Sequence, residues 1–144
     1  MRVVTLDTDE RGPRAALLRD GRVYDIRGDA DGRERPEDRT LEAILARGLL
    51  DEVRPAEGEG VPVEELTLLP PVTRPGKIVC IGLNYLGHAE EQGVESPRTP
   101  TFFAKFSNAL APPGARVKLP EWSEKVDYEA EVAFVMRDRA KEVS

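Results

Sequence analysis

The sequence predicts a mainly β protein with short helices, an α+β chain in which a small strand-rich N-terminal domain precedes a differently patterned second region. Three observations lead there. Short apolar runs, "RVVTL", "RAALL" and "RVYDI", crowd the first 26 residues and are separated by turn-forming residues. Helical periodicity is brief, confined to "LEAILARG" and "LNYLGHAEEQG". Between these two stretches lies "LTLLPPVTRPGK", whose three prolines break a ladder or a helix and set the domain boundary near residue 70.

Taken in order, the first three runs are strands, the last two joined by Asp20-Gly21, a dipeptide suited to tight hairpins because both residues tolerate positive φ. Residues 27–39 are charged and Gly-rich, the composition of a solvated loop. Thr40 can cap a helix over about 41–47, with Leu41, Ile44 and Leu45 on one face and Gly48 as its stop. "RPAEGEG" reads as a further loop, and the apolar start of "LTLLPP" as a strand. After the prolines, "KIVCIG" is a β-branched strand. Asn84 is a candidate N-cap and Gly93 a candidate stop for the short helix that follows. "TPTFFAKF" is the next strand, "NALAPPGARVKLP" a loop leading into another, and "KVDYEAEVAFVM", residues 125–136, a strand with period-two alternation.

Composition narrows the function. The 144 residues give room for one domain, or one domain and part of another. Hydrophobic residues at 40% and charged residues at 33% suit a globular chain with a modest core. No apolar run approaches the ~20 residues that span a bilayer, and no signal-like leader opens the chain, so the expected location is cytoplasmic with no membrane partner. Cys80 is the single cysteine, which excludes an internal disulfide and a cysteine zinc cluster. A net charge of −6 argues against nucleic acid as the main partner.

Four groups of residues could carry chemistry. Asp127, Glu129 and Glu131 alternate with apolar residues, and the same face then turns apolar at Ala133 and Val135. Same-face neighbours on a strand sit ~7 Å apart, so carboxylates placed this way repel unless water or a cation screens them. Oxygen-only donors suit Mg²⁺, Mn²⁺ or Ca²⁺ rather than zinc; the plainer reading is a solvated strand face. His88 and Glu91 are three apart and share a helix face, where a carboxylate can orient an imidazole for general-base work. An incidental surface pair is the plainer reading here too, although His88 is the only histidine. Lys105, among aromatic residues in "FFAKF", either meets an anionic substrate or snorkels from a strand edge. Cys80 reads as a strand residue with nothing adjacent to activate it.

In order along the chain, "KIVCIGLNYLGHAEEQG", "PTFFAKFSNALAPPG" and "VDYEAEVAFVM" resemble the fumarylacetoacetate hydrolase family over roughly residues 71–137. The resemblance implies that residues 1–70 are a small N-terminal domain. Residues 71–144 would then be the first part of a mixed β-sandwich or barrel-like catalytic domain. It implies that Glu129 and Glu131 bind Mg²⁺ or Mn²⁺, that His88 and Glu91 activate a water, and that the substrate is a small 2-oxo or 2,4-dioxo acid. Such an acid would be hydrolysed at a carbon–carbon bond, decarboxylated or isomerised, with Lys105 as a substrate-binding residue and a homodimer as the assembly. The family's third metal ligand, an aspartate, lies downstream of the glutamate pair, beyond Ser144, so the chain looks like the N-terminal part of such an enzyme. Two other classes stand beside the enzyme: a non-catalytic fragment that folds with a partner chain, and a simple acidic cation-binding module.

Overall fold

The structure, a computed structural model, describes residues 2–8, 12–27, 39–91, 93–95 and 97–143. Strands dominate and the helices are short. Strands β1 (Arg2–Leu6), β2 (Arg14–Arg19) and β3 (Arg22–Asp25) form an antiparallel meander. The β2–β3 turn is the expected Asp20-Gly21 pair: Arg19 pairs with Arg22, and the central residues have φ of 50° and 75°. Positive φ at both positions matches the twist of the flanking strands. Two-residue strands β4 (Val61–Pro62) and β5 (Leu68–Leu69) complete a five-stranded sheet in the order β4-β3-β2-β1-β5. Pro62, which has no N–H for a ladder, lies on an edge strand, where none is required.

β2 is the middle strand, and Ala15, Ala16 and Leu17 are all buried, so both of its faces are covered. On one face Ala16 packs with Leu6 and Val23, beneath Val4, Leu18, Val63, Leu66 and Leu68. Thr5 is polar yet only 1% exposed, and its hydroxyl donates to the Pro71 carbonyl at 2.7 Å. That bond fastens the Pro-rich segment to the first strand.

Helix α1 (Leu41–Ala46) is built as its sequence predicts. The Thr40 hydroxyl accepts from the Ala43 N–H at 3.1 Å, and Leu41 and Ile44 are buried. At the other end the Gly48 N–H bonds to Leu45 O and the Leu49 N–H to Ile44 O, the paired bonds of a Schellman cap. The expected loop over 27–39 falls mostly on residues 28–38, outside the described residues.

The chain divides into two compact units, Met1–Pro71 together with Pro112–Ser144, and Val72–Ala111. In the second, β6 (Ile78–Gly82) and β7 (Thr101–Lys105) pair antiparallel from Ile78↔Lys105 to Gly82↔Thr101. Helix α2 (Leu86–Glu91) lies in the connection between them.

Two expected strands are absent. Residues 115–120 and 125–136 carry no regular secondary structure, and every residue from 124 to 143 is exposed. Alternation marks the two faces a strand would have, but a strand exists only where a neighbour completes its backbone ladder. No ladder among the described residues reaches these segments. The same contrast runs through the side chains. Among the described residues, eight of the nine buried hydrophobics precede Pro71, and all the exposed large hydrophobics except Val61 follow it. No described helix is long and apolar enough to cross a membrane.

Thr5→Val keeps the shape of the buried side chain and removes the donor to Pro71, so it should cost about 1–2 kcal/mol. Urea denaturation reads this as a lower midpoint at unchanged slope; an unmoved midpoint would show that the bond adds nothing net. The uncovered apolar surface should make the 144-residue chain, prepared alone, self-associate at micromolar concentration and bind apolar dyes. Sedimentation of a single monomer at all concentrations, with no dye binding, would contradict that.

Candidate active site

α2 grows out of a tight turn at the end of β6. Gly82 is still paired to Thr101, and the helix begins four residues later at Leu86. Its first carbonyl is that of Tyr85, which accepts from the His88 N–H at 3.1 Å and the Ala89 N–H at 3.3 Å. Tyr85 therefore occupies the cap position expected for Asn84. The reason is the turn itself: Leu83 has a φ of 52°, which delays the helical run. For a leucine this left-handed conformation costs about 1–2 kcal/mol.

The far end of α2 matches the sequence expectation. Gly93 has a φ of 66°, its N–H bonds to Glu90 O, and the Val94 N–H bonds to Ala89 O, both at 3.0 Å. This is a second Schellman cap. Ala89 is buried and anchors the helix, while His88 beside it is half-buried and Glu91 exposed. The turn and the cap thus fix both ends of a six-residue helix whose third and sixth positions are His88 and Glu91. Three residues apart, the two share one helix face.

Lys105 is the last residue of β7, exposed, with its ammonium 5.9 Å from the centre of the Phe103 ring. It pairs with Ile78 at the start of β6, the end of the hairpin remote from the connection that carries α2. Four steps along the strand separate it from Thr101, a span of roughly 13 Å at the usual strand rise. Its charge can act on an approaching anion more readily than on an atom held at His88. Cys80 is half-buried in β6 opposite Phe103.

Asp127, Glu129 and Glu131 are exposed and belong to the other compact unit. The Asp127 carboxylate accepts from the Tyr128 N–H at 2.7 Å, a local bond that favours a turn over a strand. Among the described residues no group of three or more His, Cys, Asp or Glu is placed to hold a metal ion. Two carboxylates offer fewer donors than the about six oxygens of a Mg²⁺ shell, so the glutamate pair does not fit a complete cation site as it stands.

A family model described as fumarylacetoacetate (FAA) hydrolase C-terminal matches residues 77–144. Over these residues the chain belongs to the fumarylacetoacetate hydrolase family. His88, Glu91, Lys105, Glu129 and Glu131 all lie within the matched stretch. The chain is similar to the mitochondrial oxaloacetate tautomerase FAHD2A of Homo sapiens, 43% identical over 83 residues, 58% of this chain and 26% of that protein. It is similar to its Bos taurus counterpart, 42% identical over 108 residues, 72% of this chain and 34% of that protein. A crystal structure described as that of an HpcE protein from Mycobacterium smegmatis shares the fold, with a TM-score of 0.59 at 26% identity over 84% of this chain and 41% of that one. The chain thus spans between a quarter and a third of the curated relatives it matches.

The site feature that sequence reasoning missed is Leu83. Glycine or asparagine would have announced a left-handed turn, and leucine carries no such signal.

Gly93→Ala tests the cap. Nothing lies within 4 Å of a Cβ built there, so the cost is the strained backbone alone, about 1 kcal/mol. Amide exchange in α2 should speed up roughly fivefold, and unchanged exchange would mean the cap does not hold the helix.

Proposed function

We propose that this chain supplies part of an enzyme of the hydrolase or isomerase type acting on a small 2-oxo acid. Keto–enol isomerisation of an oxaloacetate-like dicarboxylate is the reaction it fits best. The observation that carries this reading is the family match over 77–144, which contains every candidate site residue, joined to 42–43% identity with proteins named oxaloacetate tautomerases. Residues 71–144 are accordingly proposed as the first part of the catalytic domain, and residues 1–70 as a small domain before it.

Keto–enol isomerisation moves one proton from the carbon beside a carbonyl to the carbonyl oxygen. It needs a base at the carbon and a donor at the oxygen. Imidazole serves both roles in turn, because its ordinary titration lies close to neutral pH. In this reading His88 takes the carbon proton and returns it to oxygen. Glu91, on the same helix face, receives the other ring N–H and holds the imidazole in one tautomer. The same pair, acting on a water, would serve hydrolysis of a 2,4-dioxo acid. Lys105 draws the anionic substrate in by charge. Glu129 and Glu131 are proposed as two of the donors to a Mg²⁺ or Mn²⁺ ion in a site that further oxygen ligands complete.

The uncovered apolar residues after Pro71 favour a second reading, in which the 144-residue chain is a non-catalytic piece that folds with a partner chain. Oxaloacetate turnover by a full-length protein containing these residues, lost in its His88→Ala variant, supports the first; a full-length protein without turnover supports the second.

His88→Ala in the full-length protein should lower kcat on oxaloacetate by about 10²–10⁴-fold, the range of a lost general base, with the fold retained by circular dichroism. Glu91→Gln should lower it by less. Native turnover in His88→Ala would end the assignment.

Mn²⁺ should raise the melting temperature of the full-length protein by mass action. Glu129→Gln and Glu131→Gln should each abolish that response, and Asp127→Asn should leave most of it. An undiminished response in both glutamate variants would reduce the acidic row to a solvated face.

A further inference from the structure

The described residues contain three non-glycine positions with positive φ. Asp20 sits in a hairpin turn and is of a type that tolerates it, and Glu142 lies in an exposed segment without regular structure. Leu83 is different. It is a bulky residue with a φ of 52°, half-buried, at the first position after β6. A strained backbone of this kind persists only where the structure around it over-determines it, and such positions cluster at functional sites.

What over-determines Leu83 is visible on both sides. Before it, Gly82 is held in the ladder opposite Thr101. After it, only Asn84 and Tyr85 precede the helix, and the Tyr85 carbonyl is already engaged by the N–H groups of His88 and Ala89. Ala89 is buried and fixes the helix laterally. The chain has three residues in which to leave a strand and enter a helix, and the left-handed residue is the one that makes the change of direction. The backbone torsion at Leu83 therefore sets where the first turn of α2, and with it the His88 imidazole, points.

We propose that Leu83 is a positioning residue: its left-handed backbone, not its side chain, aims His88 for proton transfer. The proposal rests on the reading of His88 as the base, and it separates from that reading because the torsion can be tested by the imidazole signal as well as by turnover.

The test is a series at one position in the full-length protein: Leu83→Gly, Leu83→Asn and Leu83→Val. Gly and Asn accept positive φ readily, whereas Val is apolar like Leu and accepts it poorly. If the torsion matters, kcat on oxaloacetate stays within about threefold for Gly and Asn. For Val it falls tenfold or more with KM within about twofold, the split that marks loss of an interaction made only in the transition state. If the side chain matters instead, Val is spared while Gly and Asn fail, and the proposal is overturned. The second readout is the ring-proton signal of His88, assigned by its loss in His88→Ala. Its chemical shift should match the native protein in Gly and Asn and move in Val. An unmoved signal in a folded Val variant overturns the proposal whatever the assay gives. Should Val not fold, Gly and Asn still decide it, since loss of turnover or a moved imidazole in both is fatal. Native activity in His88→Ala would defeat the base assignment alone, leaving the imidazole chemical shift to judge Leu83.

Discussion

Pairing between β6 and β7 is the constraint on which the candidate site depends. The five-residue register from Ile78↔Lys105 to Gly82↔Thr101 fixes where the connection leaves and returns. The placing of His88 and Glu91 on one helix face follows from what is compressed into that connection. A short helix is marginal by itself, since a first turn fixes several torsions for one hydrogen bond. Six residues of α2 hold because the ladder clamps one side, a Schellman cap closes the other and buried Ala89 anchors the middle.

The same physics explains why the acidic row is not a strand. In the N-terminal sheet each strand finds its neighbour within a few residues or across β4 and β5, and the alternating pattern becomes a covered surface. Residues 125–136 alternate as clearly and have no ladder. Apolar side chains such as Phe134 (85% exposed) and Met136 (70%) then stay in water, as do the acidic residues Asp127, Glu129 and Glu131 before them. Glu129 and Glu131 are thus a pair in sequence before they are a pair in space.

Legibility in the sequence followed the range of the interaction. Local features were readable because their causes lie within a few residues: the Asp20-Gly21 turn, the Thr40 cap, and the glycine stops at Gly48 and Gly93. The strands of the first sheet and of the β6–β7 hairpin were readable from apolar runs between turn signals. Strand formation at 115–120 and 125–136 was not, because alternation describes a strand's faces and says nothing of its neighbour. The helix start at Tyr85 was also hidden, since Asn84 is the better cap by chemistry and lost its place to a torsion one residue earlier. Residue types and spacings raised His88, Glu91, Glu129 and Glu131 as candidates, but neither gives the distances between elements on which chemistry depends.

The order of strands in the first sheet has a consequence during biosynthesis. β1, β2 and β3 are consecutive neighbours, and β5 closes the sheet against β1 by Leu69. This sheet has all of its strands as soon as Leu69 clears the ribosome, and it can fold while the segment carrying His88 is still inside the ribosome. The later apolar stretches then emerge beside an already folded neighbour, and for that interval they are the chain's natural substrate for chaperones and its weak point toward proteases.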